Sequence, residues 1–529
     1  MLGLLVGSAL AAADWPAPVD SRPAPSNHAY GLAWDGRSLW TADYDAGRMF
    51  ELNPDSGAIR RSLGLPCRKP TGLAWDGRRF WVASESTARL YRLEPRRGRV
   101  EETLPAPVQR PAALAWTPEG LWLADRSGGT LYLIDSRKGQ VLRTLSTEAV
   151  RPRGLAWDGQ HLWLHCALNQ AYYCLDPKTG DPIRVVYSPS GLARGLAWGP
   201  GGLWVACRGR GGILHVPFVD GDGFTLSDPI TKTITMTHRI ENQCDNPIRN
   251  ARITLAVPPT TERQRVHGLV WSGSPTRWIT DPWGASFAVF QAGRLALGEV
   301  LEASWTARVE IATVRWCLDD RRVGDLASAR ASLAEDYYAD TENYCLSQPA
   351  TQAHARAAVD EATLPLAQIA AIRQYLFDKV EYVLEGGWQD ALTVLERGTG
   401  SCSEYTYCFN GLLRANGFAT RNIGSTVYSS RAGGGPWEDR VFHRWLEIYL
   451  PGYGWVPFDA NTDDVPADQP PRKRRWGAVV NRLFITHITP RGGEDTPLYW
   501  NYNSLGEYEW TRLWGPRRAL NQRRAYWSD

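Results

Sequence analysis

Short apolar runs closed by a turn recur along the first 220 residues. GLAWDG begins at Gly31, Gly72 and Gly154, ALAWTPEG at Ala113 and GLAWGPGG at Gly195, each 41 residues or a multiple of it apart. After each GLAW-type run comes a turn, a second apolar run such as SLWTAD, and a third such as RMFELNP. A further turn carries Gly57, Gly98, Gly139 or Gly180 and opens a fourth run. Asp-Gly between apolar runs signals a hairpin, because glycine reaches positive φ without steric cost. Four strands in about 40–45 residues is the size of one propeller blade, and a blade hides its apolar faces only against its neighbours. Five units therefore predict a five-bladed all-β propeller over residues 14–220. The fifth unit, 195–218, is short of its last strand, which residues 15–30 could supply.

The repeat also accounts for the tryptophans. Trp34, Trp75, Trp116, Trp157 and Trp198 share one repeat position and Trp40, Trp81, Trp122, Trp163 and Trp204 another, so ten of the 25 are explained. These units resemble the NHL and YVTN families of bacterial propellers, which implies a recognition or scaffold module that could hold a protein ligand. Cys166 and Cys207 share a repeat position and Cys174 lies on the strand after Cys166, so a disulfide from Cys166 to either is conceivable.

From 221 to 320 the pattern becomes strict alternation. Ile253, Leu255 and Val257 share one parity, as do Leu301, Ala303, Trp305, Ala307, Val309 and Ile311. Period two argues strands buried on one face, and about 100 residues of them predict an immunoglobulin-like β-sandwich. After 320 the spacing turns helical: an Ala-rich run over 326–340, then Ile369, Ile372, Leu376 and Val380 behind Pro365.

The stretch GTGSCSEYTYCFNGLLRANG (398–417) places Cys402 at a helix start. Tyr405, Cys408, Phe409, Leu412 and Leu413 form one apolar face, and Gly417 sits at the C-cap position. Unpaired N–H groups and the positive dipole end favour a thiolate there. The glycines before it would let a substrate approach, and the Cys402 N–H could help hold an oxyanion. Residues 441–461, VFHRWLEIYLPGYGWVPFDAN, read as two strands around a Pro-Gly-Tyr-Gly turn. They bring a base, His443, and a group to orient it, Asp459. A tight hairpin pairing Leu450 with Trp455 would set Asp459 opposite Leu446, ~10 Å from His443.

G-x-G-x-C, LLRANGF and H-x-W-x-E with GW-x-P-F-D resemble the transglutaminase-like superfamily, over about 320–465. The resemblance implies an α+β papain-like core within 321–529, with Cys402 as nucleophile, His443 as base and Asp459 as orienting acid. It implies an upstream indole or phenol as oxyanion partner, for which Tyr382 and Trp388 qualify, although core packing explains either. Arg414 is read as structural. The implied activity is cleavage or transfer of a carboxamide or peptide acyl group through a cysteine thioester, on a protein or peptide-like substrate. The alternative is a non-catalytic interaction protein that binds through the propeller.

Composition narrows the rest. A net charge of +3 gives no global field for nucleic acid. No apolar stretch reaches the ~20 residues of a membrane span. Leu2–Leu10 followed by Ala11 and Ala13 fits a signal peptide over 1–13, so export is expected. Nine cysteines, an odd number, leave one thiol over if disulfides form. Neither His-Glu-x-x-His, Cys-x-x-Cys nor a calcium loop occurs, and no cofactor or metal is expected. The basic run 472–475 reads as a solvated face, and the Gly-rich loop 426–440 as a lid or a plain connector. The aromatic residues Tyr499, Trp500, Tyr502, Tyr508 and Trp510 read as a tail packed on the catalytic domain or the sandwich.

Overall fold

The computed structural model describes residues 17, 19–147, 151–168, 170–384, 387–429, 432–459, 476–512 and 516–529. The predicted leader and the basic run 472–475 lie outside them. The chain divides into two compact units, one of Asp14–Pro229 with Val314–Cys317, the other of Ile230–Thr313 with Leu318–Asp529. The first boundary thus falls at 229, not 220.

In the first unit the repeats form four-stranded antiparallel sheets. The first contains Ala29–Trp34, Leu39–Asp43, Arg48–Leu52 and Ile59–Gly64 in chain order. The last takes Ala193–Gly199, Gly202–Cys207 and Ile213–Val216, and Asp20–Arg22 adds its fourth strand, with Asp20 opposite His215. The GLAW strands neighbour one another in cyclic order. Their glycines permit this approach. A Cβ on Gly72 would lie 2.7 Å from the Leu114 nitrogen, and one on Gly195 would lie 2.7 Å from the Gly31 carbonyl carbon. The last sheet therefore packs on the first, and the arrangement is propeller-like.

The two tryptophan sets differ in placement. Trp34 and its equivalents line one pocket with the Leu-Ala pair before each. Trp40, Trp81, Trp122 and Trp163 are fully buried. The aspartate of the turn holds the indole: Asp35 accepts from Trp40 Nε1 at 2.7 Å, Asp76 from Trp81 at 3.2 Å and Asp158 from Trp163 at 2.8 Å. Its other oxygen accepts turn N–H groups, as Asp35 does from Arg37 and Ser38 at 2.8 and 2.7 Å. One carboxylate thus closes the turn and satisfies a buried donor. No disulfide joins the nine cysteines. Cys174 stands opposite Trp163 in register, three residues from Cys166. That odd step puts the two sulfurs on opposite faces of the sheet.

In the second unit two antiparallel sheets enclose one core. Their strands include residues 230–242 and 300–313 in one sheet, and Ile248–Ala256 and Ser286–Leu295 in the other. Ile253, Leu255, Ala303, Trp305, Ala307, Val309 and Ile311 all face inward, as their parity requires. The aromatic tail completes both sheets. Ser504–Trp510 pairs with Ile248–Ala256, and Ala519–Ser528 pairs with Phe224–Asn242. Residues grouped by sequence with the catalytic domain therefore belong to the sandwich, because their alternating Ala525 and Trp527 fill its core.

Helices Pro349–Val359, Pro365–Lys379, Ala391–Arg397 and Cys402–Ala415 follow, the last packed on an antiparallel sheet. That sheet runs Gly454–Phe458, His443–Leu450, Thr420–Val427, Leu483–Thr489. The Ala-rich run forms only a short helix, Leu326–Ser332, and a 3-10 turn at Glu335–Tyr337. No helix of the described residues is long and apolar enough to cross a membrane.

Candidate active site

Helix Cys402–Ala415 is buried on every side from Cys402 to Arg414, not on one face alone. Its polar residues need partners at that depth, and have them. Thr406 Oγ1 donates to the Cys402 carbonyl at 2.7 Å, and Asn410 donates to Asn422 Oδ1 at 3.0 Å. Arg414 donates to the backbone oxygens of Ala339, Thr420 and Pro490 at 2.6, 2.9 and 2.5 Å. It fastens three segments together. Gly417, at φ +84°, follows the helix end as expected.

Cys402 is the first helical residue, after the N-cap Ser401. The first N–H groups of a helix have no acceptor within it. The glycines before Cys402 have local duties. Gly398 (φ +77°) caps helix Ala391–Arg397, and a Cβ on Gly400 would press on Val394 and Glu404 at 3.2 and 3.3 Å. Sequence reasoning passed over Glu404, though Ser401-x-x-Glu404 has the spacing of a capping box. Its carboxylate is fully buried, accepts from Ser401 N at 2.9 Å and Gln389 N at 3.2 Å, and pairs with Arg397 at 3.0 Å.

His443 opens the strand beside this helix. Its Nε2 lies 3.0 Å from Asp459 Oδ2, and the imidazole also hydrogen-bonds Cys402. With Nε2 committed to the carboxylate, Nδ1 is the nitrogen left for sulfur. All three side chains are buried. Burial alone would raise the Cys402 thiol, but the His443 hydrogen bond and charge, with the Arg444 N–H and guanidinium, bring it below its ordinary value of 9.0. Burial would lower His443, but Asp459 and Cys402 overcome it and raise it to about 10. Both shifts favour a thiolate facing an imidazolium.

The segment before His443 is held tightly. Asp439 accepts from Thr426 Oγ1 and Val427 N, both at 2.8 Å, and from Val441 N and Phe442 N, both at 3.0 Å. Phe442 has φ +64°, a conformation costly for a bulky residue. The end of the 426–440 loop is therefore anchored, and Trp437–Asp439 pairs with the strand Ala519–Ser528.

Tyr382 pairs in register with Gly400, and its phenol is raised to about 12 by burial and by the charges of Cys402 and Asp459. Trp388 lies 6.0 Å from the Arg444 guanidinium. Both rings are more than a third exposed, so neither is core packing. Arg444 itself carried no sequence signal. It is buried, donates to Tyr407 Oη and the Trp500 carbonyl, and lies over the rings of Tyr407 and Tyr502 at 5.0 and 4.7 Å.

Residues 352–460 match the transglutaminase-like superfamily. This segment is a transglutaminase-like domain. No curated protein matches the chain by sequence. Among solved structures, a candidate cysteine protease from Cytophaga hutchinsonii is 15% identical, with 58% of this chain and 100% of that chain covered at a TM-score of 0.39. Glutaminyl cyclase from Myxococcus xanthus is 16% identical over 39% of this chain and 97% of that one, with a TM-score of 0.34. Virginiamycin B lyase from Staphylococcus aureus is 17% identical over 36% and 66%, with a TM-score of 0.26. At such scores none of the three bears on fold or activity. The transglutaminase-like domain carries Cys402 at a helix start, His443 at the start of the strand His443–Leu450, and Asp459 just past the end of the adjacent strand Gly454–Phe458.

Proposed function

We propose that this protein is a cysteine-dependent enzyme that opens a carboxamide or peptide bond through a thioester on Cys402. The observation that carries the reading is the hydrogen-bonded chain Cys402–His443–Asp459. In this mechanism the thiolate attacks the carbonyl carbon. The Cys402 N–H at the helix start, with Tyr382 or Trp388 as the aromatic partner, faces the developing oxyanion. His443 protonates the departing amine, and Asp459 keeps the ring oriented and its charge stabilised. Water then hydrolyses the thioester, or an amine takes the acyl group.

The proposal extends to the rest of the chain. The first unit is a five-bladed propeller that recruits a protein substrate or partner, and the chain is exported after removal of residues 1–13, where Leu2–Leu10 precede Ala11 and Ala13. The test is to incubate the protein with a library of peptide and glutamine amides, following amine release and the mass of Cys402-containing peptides. An acyl adduct on Cys402, absent in His443→Ala, supports the reading. Amide turnover unchanged in Cys402→Ala, or no adduct and no turnover, overturns it.

A further inference from the structure

Asp158, His161 and Cys174 come together in the fourth sheet of the propeller-like unit, far in sequence from the cysteine site. One ligand atom of each lies within 4.8 Å of the others. The repeat explains the convergence. The same positions hold Asp35, Ser38 and Glu51 in the first unit and Asp76, Arg79 and Arg92 in the second. There they make ordinary polar contacts: Ser38 donates to Glu51 at 2.9 Å and Arg92 pairs with Asp76 at 3.3 Å. The third and fifth units have glycine at the middle position, Gly120 and Gly202. Only the fourth unit fills all three positions with carboxylate, imidazole and thiol.

The spacing is that of coordination more than of hydrogen bonding. His161 Nδ1 is 3.4 Å from Asp158 Oδ2, long for a bond between them. A tetrahedral ion about 2.0–2.2 Å from oxygen and about 2.0–2.1 Å from nitrogen sets those atoms roughly 3.3–3.4 Å apart. Asp158 is already oriented. Its Oδ1 accepts from Gln160 N at 2.7 Å and His161 N at 2.6 Å, and its Oδ2 from Trp163 Nε1 at 2.8 Å. A lone pair remains on Oδ2, and the indole bond fixes the carboxylate as outer partners of metal ligands do. Arg184 stands opposite Cys174 in register, but its charge is paired with Asp220 at 2.6 Å. The His161 side chain is 24% exposed and that of Asp158 11%, so an ion can enter from solvent.

We propose that Asp158, His161 and Cys174 bind one thiophilic divalent transition ion of the zinc class, with water or an incoming donor in the fourth position. On binding, the Cys174 S–H bond breaks, its proton leaves to solvent and the sulfur forms the metal bond. His161 coordinates through the Nδ1 lone pair and keeps its Nε2 proton. No electron is transferred. The site is not a sequence motif, since Cys174 joins Asp-x-x-His only through the pairing of two strands.

Cobalt(II) reads the site directly, since a thiolate ligand gives it a near-ultraviolet charge-transfer band. Chelator-stripped Cys402→Ala protein, which removes the competing thiolate, is titrated with Co2+ alone. The expected result is one equivalent of the band, displaced by Zn2+ and lost in both Cys174→Ala and His161→Ala. Absence of the band in Cys402→Ala, or its persistence in Cys174→Ala, overturns the proposal. Near-ultraviolet circular dichroism of the buried tryptophans reports folding. If Cys174→Ala fails to fold, the part-exposed His161→Ala decides: affinity reduced at least tenfold supports the site, and unchanged affinity removes it.

Discussion

His443 Nε2 stands 3.0 Å from Asp459 Oδ2, and a one-residue choice of register makes that contact. Leu450 pairs with Gly454 and Leu446 with Phe458, so Asp459, one residue past the strand, comes level with Trp445. Trp445 is two residues from His443 and shares its parity. Pairing Leu450 with Trp455 instead would put Asp459 opposite Leu446, on the other face of the sheet. The three-residue turn Pro451–Tyr453 sets the register, closed by Tyr453 N donating to the Leu450 carbonyl at 2.9 Å, with Gly452 and Gly454 at φ +90° and +84°.

Asp459→Asn keeps the shape and removes the charge. Loss of the carboxylate removes the main support for protonated His443, so its pKa falls from about 10. The imidazolium is the acid that protonates the leaving amine, so the alkaline limb of the kcat profile moves to lower pH. The expected drop in kcat at neutral pH is roughly 10²–10⁴-fold, by the scale of other base-orienting carboxylates. A pH–rate series on the substrate found by adduct screening measures both.

His443→Ala tests the other half of the ion pair. Without the imidazole, burial dominates and the Cys402 thiol rises above its present lowered value. Alkylation by iodoacetamide at pH 7 should slow, and its apparent pKa should move alkaline. The wild-type pair also has a signature in stability. His443, raised in the folded state, stabilises fully below its unfolded value near 6.5, and that contribution is lost as pH rises through about 10. Cys402, lowered in the folded state, stabilises above its unfolded value of 9.0, and its contribution is lost as pH falls through the folded value. Together they give a plateau across neutral pH, which urea melts of wild type and His443→Ala at several pH values would show.

Much of this site was legible in the residues. The helix at Cys402, the two strands and the 41-residue repeat follow from local periodicity, which sequence displays directly. What was hidden depends on pairing between distant segments. The strands Ser504–Trp510 and Ala519–Ser528 look like an aromatic tail until their partners Ile248–Ala256 and Phe224–Asn242, over 200 residues away, are known. Arg444 looks like any strand arginine until Tyr407, Trp500 and Tyr502 close around it. Helices Pro349–Val359 and Ala391–Arg397 have apolar faces too small to stand out, with only Ala355, Ala358 and a few others buried.

Glu404 ties the loop before Cys402 to its helix. Glu404→Ala leaves the Ser401 N–H without its acceptor in a buried setting, while the N–H of the exposed Gln389 can turn to solvent. One buried unsatisfied donor costs about 1–3 kcal/mol, so a loss of that size is expected in urea denaturation. Cys402 alkylation should slow as well, because its helix start loosens. Glu404→Gln retains one acceptor oxygen and should lose less than half as much stability.

The repeat aspartates offer a test of what holds the sheets of the first unit. Asp76 accepts from Trp81 Nε1 at 3.2 Å, from Arg78 N at 2.8 Å and from Arg79 N at 2.7 Å, and pairs with Arg92 at 3.3 Å. Asp76→Ala strands a fully buried indole N–H and opens the turn. A cost of about 1–3 kcal/mol is expected, mostly from the unsatisfied donor, since the part-exposed Arg92 pair contributes little. The third unit supplies an internal control. It has Thr117 in place of the aspartate, and Thr117 Oγ1 donates to the Gly120 carbonyl at 3.1 Å. Thr117→Ala removes no acceptor from Trp122, so its cost should be smaller, below about 1 kcal/mol. Parallel urea melts followed by tryptophan fluorescence would rank the two variants, and equal losses would mean that the carboxylate is not what anchors the indole.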